Sequence, residues 1–383
     1  VTVVAGHKGN AVATTSITQM NDAIGRATAE AKKQGEGAKT KIEINVEAPA
    51  GNTSVDTIIP KGAVNSIIAA GIDLLTVTTP VASITLDSNA LLALYEDDVM
   101  ISTSKLDVSS LPAKTRSIVG DRPVYDFSVT SGNKTISQFG GNVTVSVPYT
   151  LRDGEDMNAI VIYYMNAEGN PEIVRNCVYN PDTQRVSFTT DHFSQYVVGY
   201  HFVNFKDVAS NAWYSDAVAY IAAREITLGT GNGNFNPNAK LTRGEFIVIL
   251  MRAYGIAPDE NPKDSFADAG STWYTGYLAT AKRLDISKGI GNNMFAPNQV
   301  ITRQEMFTLV YNTLKMIDQL PEEKLGIQPS DFNDADQIAP WAKEAMAWMV
   351  DAGIIKGNKN NLNPTSTTTR AEMAQVIYNL ITR

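Results

Sequence analysis

The chain has 383 residues, 43% of them apolar and 19% charged, so it exceeds the usual size of one domain and can form ordinary hydrophobic cores. Its 40 acidic and 32 basic residues give a net charge of −8, which argues against a general binder of nucleic acids. The only cysteine, Cys177, excludes an intrachain disulfide and a cysteine-based metal cluster. We therefore expect a multidomain protein with no metal site and no cofactor.

The first residues, VTVVAGHKGN, lack the basic start, the long apolar core and the cleavage site of a secretion signal. Because the chain opens on Val1 instead of methionine, we expect it to be a piece of a longer precursor. The longest apolar stretch near the repeats described below is FIVILM at 246–251, whereas a membrane-spanning helix needs about 20 residues. We therefore expect no membrane insertion, and we expect any attachment to a wall or membrane to go through a bound partner.

Two stretches in the first third of the chain, 16–37 and 60–71, have helical spacing and end in glycine. They predict an α+β module over residues 1–118. From 119 to 201, runs of β-branched residues are separated by Gly, Asn, Pro and Asp. A β-sandwich-like module is predicted there by NVTVSVPYT, AIVIYYMN and RVSFTTD. The pattern leaves open whether these are two β-rich units or one unit with a helical elaboration.

After residue 202 the sequence repeats itself three times, over 205–256, 266–317 and 332–381. In each repeat a proline lies six residues before an arginine, and a phenylalanine lies 37 or 38 residues before it. The aligned arginines are Arg243, Arg303 and Arg370. Apolar residues at three- and four-residue steps predict a helix, then a Gly/Asn-rich loop, then a second helix in each repeat. Residues 202–383 are therefore predicted to form an all-α domain.

Each second helix opens with Thr-Arg-x-Glu. A threonine followed three residues later by glutamate is a capping box, which stabilises a helix start by roughly 1 kcal/mol. The predicted boxes are Thr242 with Glu245, Thr302 with Glu305, and Thr369 with Glu372. Capping therefore explains the threonine and the glutamate without a ligand.

Capping does not explain the arginine, because a cation is unfavourable in the first turn of a helix by about 0.3–1 kcal/mol. One interpretation is that each arginine pairs with its neighbouring glutamate or with an aspartate of another repeat. The other is that the helix N-terminus and the guanidinium together bind an anion, with a geometry suited to carboxylate or phosphate. The sequence leaves both open.

The combination of F-x-D, a tryptophan, a Gly-rich loop closing in F-x-P, and T-R-x-E, repeated three times, resembles the S-layer homology (SLH) domain of bacterial surface proteins. The resemblance covers about 205–381. It implies a pseudo-threefold spindle of helices with grooves between the repeats. In that family the grooves bind secondary cell-wall polysaccharide, often through a pyruvylated sugar whose carboxylate meets the motif arginine.

The resemblance also implies roles for individual residues. The motif arginines would hold the carboxylate, and the F-x-D aspartates would bind sugar hydroxyls or order the groove, although capping of the next helix explains them equally well: Asp207, Asp268 and Asp334. The tryptophans would offer a flat face to a sugar ring, with core packing as the alternative: Trp213, Trp273 and Trp341. Glycines of the loop would let backbone approach the ligand or serve as turn residues: Gly229, Gly289 and Gly357.

The third repeat departs from the other two. Leu362 replaces the loop phenylalanine, Pro340 precedes Trp341, and an NKNN loop replaces the glycines. We therefore expect that fewer than three grooves bind ligand.

Catalysis is not expected, although the abundant Asp and Glu leave a carboxylate pair for glycoside hydrolysis open, with no stretch that singles one out. The histidines are His7, His192 and His201, and only Asp191, His192 and Ser194 suggest a triad. Adjacent residues on a strand point to opposite faces, so a turn or strand-end role is the better interpretation.

Residues 121–200 resemble a β-module that often precedes SLH repeats, which implies a spacer or display role. The sequence thus predicts an extracellular cell-wall or S-layer protein that binds anionic, pyruvylated polysaccharide. The alternative is a self-assembling S-layer subunit whose β-rich half makes lateral protein contacts.

Overall fold

A computed structural model describes residues 2–5, 9–35, 37–49, 51–321 and 324–383. The chain divides into two compact units, Val1–His201 and Phe202–Arg383. This division coincides with the boundary expected at residue 202. His7 lies outside the described residues.

The first unit is rich in strands. The strands are β1 (Thr2–Ala5), β2 (Asn10–Thr14), β3 (Lys41–Asn45), β4 (Ser54–Ile59), β5 (Leu74–Thr78), β6 (Ser83–Asp87), β7 (Val99–Leu106), β8 (Val124–Ser131), β9 (Lys134–Thr135), β10 (Gln138–Pro148), β11 (Ile160–Met165), β12 (Pro171–Val174), β13 (Val178–Asn180), β14 (Arg185–His192) and β15 (Gln195–Tyr200). The α-helices are α1 (Ile17–Gln34), α2 (Lys61–Ala69), α3 (Ser88–Leu91) and α4 (Ala113–Val119). The two helical stretches expected from the sequence correspond to α1 and α2.

Two sheets make up this unit. The first has the order β1-β2-β4-β7-β8-β15-β11-β12, with β9 paired to β8, and the second has the order β13-β14-β10-β6-β5-β3. Strands from both sides of residue 118 lie in each sheet, because β7 pairs with β8 in the first and β6 pairs with β10 in the second. The expected boundary between 118 and 119 is therefore wrong. The structure has one β-rich unit with a helical elaboration, since strand pairing joins segments that local sequence patterns treat separately.

Alternation along the strands places apolar side chains in the core. In β10, Val143, Val145 and Val147 are fully buried. Val145 is paired with Phe188 of β14, which is also buried. Because successive strand residues point to opposite faces, this spacing gives one apolar face per strand, and its burial stabilises the sheets.

A buried ion pair also holds the first unit together. Arg122 Nη2 lies 2.6 Å from Glu155 Oε1, and their side chains are only 15% and 6% exposed. The hydroxyl of Tyr149 donates to Glu155 Oε2 at 2.7 Å. Burial acts to raise the pKa of Glu155, but hydrogen bonds from the backbone N–H of Arg152, from Tyr149 and from Arg122 outweigh it and lower the pKa. The pair joins the segment before β8 to the segment after β10.

The second unit is built from pairs of helices. They are α5 (Ser215–Ala223), α6 (Arg243–Ala253), α7 (Thr275–Arg283), α8 (Arg303–Met316), α9 (Lys343–Asp351) and α10 (Arg370–Ile381). The second helix of each repeat packs against the first helix of the next, as α6 on α7 and α8 on α9, and α10 closes the ring by packing on α5. The predicted all-α pseudo-threefold spindle is confirmed.

Three backbone hydrogen bonds form a closed cycle where the repeats meet. The N–H of Leu241 donates to the carbonyl of Thr368 at 3.1 Å, and that of Thr368 donates to Ile301 at 3.2 Å. The N–H of Ile301 completes the cycle by donating to Leu241 at 2.9 Å. All three residues are fully buried. Each repeat is therefore bonded to both others just before its second helix.

Candidate functional site

The three predicted capping boxes are present at the start of α6, α8 and α10. In α6 the N–H of Thr242 donates to Glu245 Oε2 at 2.8 Å, and Thr242 Oγ1 accepts from the N–H of Glu245 at 3.2 Å. The N–H of Thr302 and of Thr369 donate to Glu305 and Glu372 in the same way. The sequence predicted the capping boxes correctly because all the atoms of a box lie within one helical turn.

The first N–H groups of these helices donate to the loop of the next repeat. The N–H of Arg243 donates to the carbonyl of Gln299 at 2.9 Å and that of Gly244 to Pro297 at 2.8 Å. The other two helices repeat the pattern with acceptors in the following repeat: Ser366 and Pro364 for α8, and Ala239 and Pro237 for α10. These N–H groups are already satisfied, so the expectation that they help to bind an anion is wrong for this arrangement.

Two of the motif arginines are locked between repeats. Arg243 Nε donates to the carbonyl of Phe295 at 2.8 Å, and Nη1 lies 2.7 Å from Glu305 Oε1. The guanidinium lies 4.7 Å from the centre of the Phe295 ring, and the side chain is 5% exposed. Burial lowers the pKa of Arg243, while the charge of Glu305 acts in the opposite direction.

Arg370 occupies the matching position between the third repeat and the first. Its Nε donates to the carbonyl of Phe235 at 2.8 Å, and its Nη1 lies 3.3 Å from Glu245 Oε1. Its Nη2 donates to Thr227 Oγ1 at 3.5 Å, and its guanidinium lies 4.9 Å from the Phe235 ring centre. The expectation of an ion pair is confirmed, but the partner is neither the neighbouring glutamate nor an aspartate of another repeat. The acid is the capping-box glutamate, which uses one oxygen for the cap and the other for the ion pair.

Arg303 differs from both. Its Nε donates to the carbonyl of Leu362 at 3.0 Å, but neither Nη has a hydrogen-bond or ion-pair partner in the part of the chain that the structure describes. Its guanidinium lies 5.4 Å from the ring of Phe307, a residue of its own helix. Burial lowers the pKa of Arg303, and the charges of Glu372 and Asp334 act against that effect without a direct contact.

The F-x-D aspartates hold the loop of their own repeat. Asp207 Oδ1 and Oδ2 accept from the N–H groups of Phe235 and Asn236 at 2.8 and 2.7 Å. Asp268 and Asp334 do the same for the equivalent loop residues. Burial acts to raise the pKa of Asp207, but these backbone hydrogen bonds lower it overall. The aspartates order the loop, and the alternative that they cap the next helix is wrong.

The motif tryptophans lie at the surface. Trp213, Trp273 and Trp341 are 64%, 60% and 57% exposed, so the alternative of core packing is wrong. Gly289 has a φ of +75°, and a Cβ there would collide with the Phe266 ring and the Met294 carbonyl. The same holds at Gly229 and Gly357, where the F-x-D phenylalanine lies against the glycine. These glycines are therefore needed for the turn and its packing.

A groove of about 1010 Å³ brings together residues that the sequence places in three different repeats. Arg243 comes from the first repeat, Gly289 from the second and Trp341 from the third. The groove is also lined by Ile290, which is 56% exposed, and by Tyr311. The lining therefore includes a guanidinium and an exposed aromatic ring, that of Trp341.

Sequence reasoning missed Tyr311, Asn312 and Lys315, which line the same groove. The sequence contains a signal for Tyr311 and Asn312, because the same dipeptide recurs at the matching place in the third repeat as Tyr378 and Asn379. The groove is not a simple cationic site. Lys315 lies 3.3 Å from Glu344, so its charge is also paired.

The suspected triad in the first unit does not assemble. His192 Nδ1 lies 2.9 Å from Asp191 Oδ1, although their neighbouring positions predicted opposite faces. Both residues lie at the end of β14, where the strand stops, and Ser194 Oγ donates instead to the carbonyl of Met165 at 2.8 Å. Within the described ranges, no three metal-ligating side chains come together and no helix is long and apolar enough to cross a membrane.

Comparison with known proteins identifies the repeats. The S-layer homology domain family matches residues 204–247, 265–307 and 331–374. Amylopullulanase of Thermoanaerobacterium thermosulfurigenes is 32% identical over 253 residues, which cover 64% of this chain and 13% of the relative. This match is longer than the second unit and so extends into the β-rich unit.

Two further relatives match over about the length of the second unit. Exoglucanase XynX of Acetivibrio thermocellus is 33% identical over 181 residues, covering 47% of this chain and 16% of the relative. S-layer protein sap of Bacillus anthracis is 31% identical over 173 residues, covering 45% of this chain and 20% of the relative. The chain thus spans a fifth or less of these three relatives. It contains three S-layer homology domains preceded by a β-rich module, which place it at the bacterial cell wall or surface layer.

Proposed function

We propose that the second unit anchors the chain to the cell wall by binding anionic secondary polysaccharide in the grooves between its repeats. The observation that carries this proposal is the groove in which Arg243, Gly289 and Trp341 meet. In the proposed complex a pyruvyl ketal carboxylate meets a motif guanidinium, because planar guanidinium groups recognise carboxylates by paired hydrogen bonds.

The rest of the groove suits a sugar. Trp341, which is 57% exposed, offers a flat apolar surface for the C–H face of a pyranose ring, and the ammonium group of Lys315 offers donors for its hydroxyls. Weak contacts at more than one groove would add up on a repeating polymer, since the second contact becomes intramolecular. Strong attachment therefore does not require one tight site.

Co-sedimentation of the full chain with purified cell walls tests the anchor. We expect the wild type to sediment with untreated walls and to remain in solution after mild acid has removed the pyruvyl ketals. The Arg243→Ala/Arg303→Ala double variant should lose most of its binding. The matched control is Arg26→Ala/Arg116→Ala, which removes two exposed arginines of the first unit. Equal binding to ketal-free walls, or full binding by the first double variant, would contradict the proposal.

A second candidate is a lattice subunit, favoured by the similarity to S-layer protein sap. In this alternative the β-rich unit makes lateral protein contacts. Light scattering during dialysis with and without calcium separates the two. A lattice subunit should form sheets or large oligomers, whereas an anchor should stay small.

The expectation that the chain is not an enzyme stays a prediction, because two of its relatives are an amylopullulanase and an exoglucanase. We propose that residues 1–383 contribute attachment and not hydrolysis. Absence of reducing-sugar release from pullulan and cellulose by the full chain would support this.

A further inference from the structure

The three motif arginines differ in how many guanidinium nitrogens the protein already uses. All three nitrogens of Arg370 have protein partners. In Arg243 only Nη2 lacks one among the described residues. In Arg303 both Nη atoms are free of partners in the same part of the chain, and only Nε is used. The capacity to accept a new anion therefore rises from Arg370 to Arg243 to Arg303.

The sequence of the third repeat explains why Arg303 has fewer protein partners than the other two arginines. Leu362 stands where the other loops present a phenylalanine ring, so the guanidinium of Arg303 has no ring across the junction and lies over Phe307 instead. Ile355 stands where the first repeat has Thr227, so the hydroxyl that Arg370 contacts is absent as well. The first change removes a ring contact that both other guanidinium groups make, and the second removes a hydroxyl contact that Arg370 makes.

The acids nearest to Arg303 do not close this gap. Glu372 Oε2 accepts from the N–H of Thr369 at 2.7 Å, and in the described part of the chain no oxygen of Glu372 pairs with Arg303. Both oxygens of Asp334 accept from loop N–H groups at 2.8 and 2.7 Å. By contrast, a ligand carboxylate at Arg243 has to compete with Glu305 for a buried guanidinium, and separating such a pair is costly.

Resting on the anchoring function proposed above, we propose that Arg303 is the primary site for the ligand carboxylate, and that Glu305 and Glu245 are internal competitors at the other two arginines. The two open Nη atoms match the two oxygens of one carboxylate. The positions that match Arg243, Gly289 and Trp341 one repeat further along are Arg303, Gly357 and Trp213, and Trp213 is 64% exposed. The junction whose motifs depart most from the other two is thus the one that is open to ligand.

The test is a calorimetric titration of the full chain with a methyl glycoside that carries a 4,6-O-(1-carboxyethylidene) group, which is a pyruvyl ketal. The uncharged 4,6-O-ethylidene glycoside is the matched control ligand. We expect about one site in the wild type, a loss of tenfold or more in affinity for Arg303→Ala, and less than twofold for Arg370→Ala. We expect the uncharged ligand to bind at least tenfold more weakly.

A variant that gains a binding site excludes misfolding as the explanation, because a misfolded protein would lose sites. Glu305→Gln keeps the capping box, since glutamine serves equally at that position, but it removes the charge that competes at Arg243. We expect the number of sites to rise from one to two. Glu372→Gln is the matched control and should leave the number of sites at one, because Glu372 is paired with no arginine in the described structure.

The outcomes separate this inference from the anchoring function. If the full chain binds walls but Arg243→Ala or Arg370→Ala removes glycoside binding while Arg303→Ala does not, the ranking is overturned and the anchor stands. An unchanged number of sites in Glu305→Gln, or wall binding without glycoside binding, also overturns it. If walls are not bound either, both proposals fail.

Discussion

The Arg122–Glu155 pair of the first unit and the Arg243–Glu305 pair of the second are similar in length, at 2.6 and 2.7 Å, and both are buried. In the first unit the pair occurs once and joins segments of two sheets. In the second it belongs to a set of three related junctions, and among the described residues Arg303 has no such pair. A pair that occurs once can serve only stability, whereas a repeated one can be given up at one junction, which is where the ligand carboxylate is proposed to bind.

The largest expected effect comes from breaking the pair of the first unit. Glu155→Ala leaves Arg122 buried without its carboxylate, and we expect a loss of about 4 kcal/mol in the free energy of unfolding. Urea denaturation followed by far-ultraviolet circular dichroism measures it. All four tryptophans lie after residue 212, so selective tryptophan fluorescence reports on the second unit and should change little.

The control is Asp121→Ala, which breaks the exposed pair with Arg152 and should cost far less stability than Glu155→Ala. Equal losses in the two variants would show that burial is not what makes the Arg122–Glu155 pair important.

The next largest effects on the free energy of unfolding are expected at the junctions of the second unit, and they should differ between Arg243 and Arg303. Arg243→Ala leaves Glu305 unpaired and the Phe295 carbonyl without its donor, so we expect a loss of about 3 kcal/mol. Arg303→Ala removes one hydrogen bond and no ion pair, so about 1 kcal/mol is expected. Tryptophan fluorescence during urea denaturation measures both. A larger loss for Arg303→Ala would argue that its junction is closed in solution.

A smaller effect, in the stabilising direction, is expected from a substitution in the core of the second unit. Thr368 is fully buried beside Leu241 and Ile301, and its hydroxyl has no hydrogen-bond partner among the residues described. Thr368→Val keeps the shape and removes the unsatisfied hydroxyl, so we expect a gain of about 1 kcal/mol in the same assay. The matched control is Thr313→Val, which should destabilise the unit because the Thr313 hydroxyl donates to the carbonyl of Leu309 at 2.8 Å.

The smallest expected effect is the loss of stability at low pH. The pKa of Glu155 is lowered in the fold from its ordinary 4.5, so its stabilisation is complete above about 4.5 and is lost as the pH falls through the lower folded value. Asp207 behaves likewise from an ordinary value of 3.8. On acidification, circular dichroism should therefore record a loss of stability that is smaller in Glu155→Gln than in the wild type. An equal loss in the two proteins would contradict this assignment.

Local sequence signals predicted much of the second unit. The capping boxes, the helix starts at Arg243, Arg303 and Arg370, and the intervening loops follow from residues a few positions apart. The same signals failed for Asp207, whose partners Phe235 and Asn236 lie across the repeat. They also failed for the boundary at residue 118, because strand pairing in the first unit depends on contacts between distant segments.

The sequence by itself determined that three related helical repeats exist, where their second helices begin, and which residue types recur at each start. Only the tertiary structure decided that the first helix N–H groups are satisfied by the next repeat, that two capping glutamates also pair with arginines, and that both Nη atoms of Arg303 lack a partner among the described residues. The physical reason is distance along the chain. A capping box closes within four residues, whereas Arg243 meets Glu305, and Arg370 meets Glu245, only after the ring of repeats has closed.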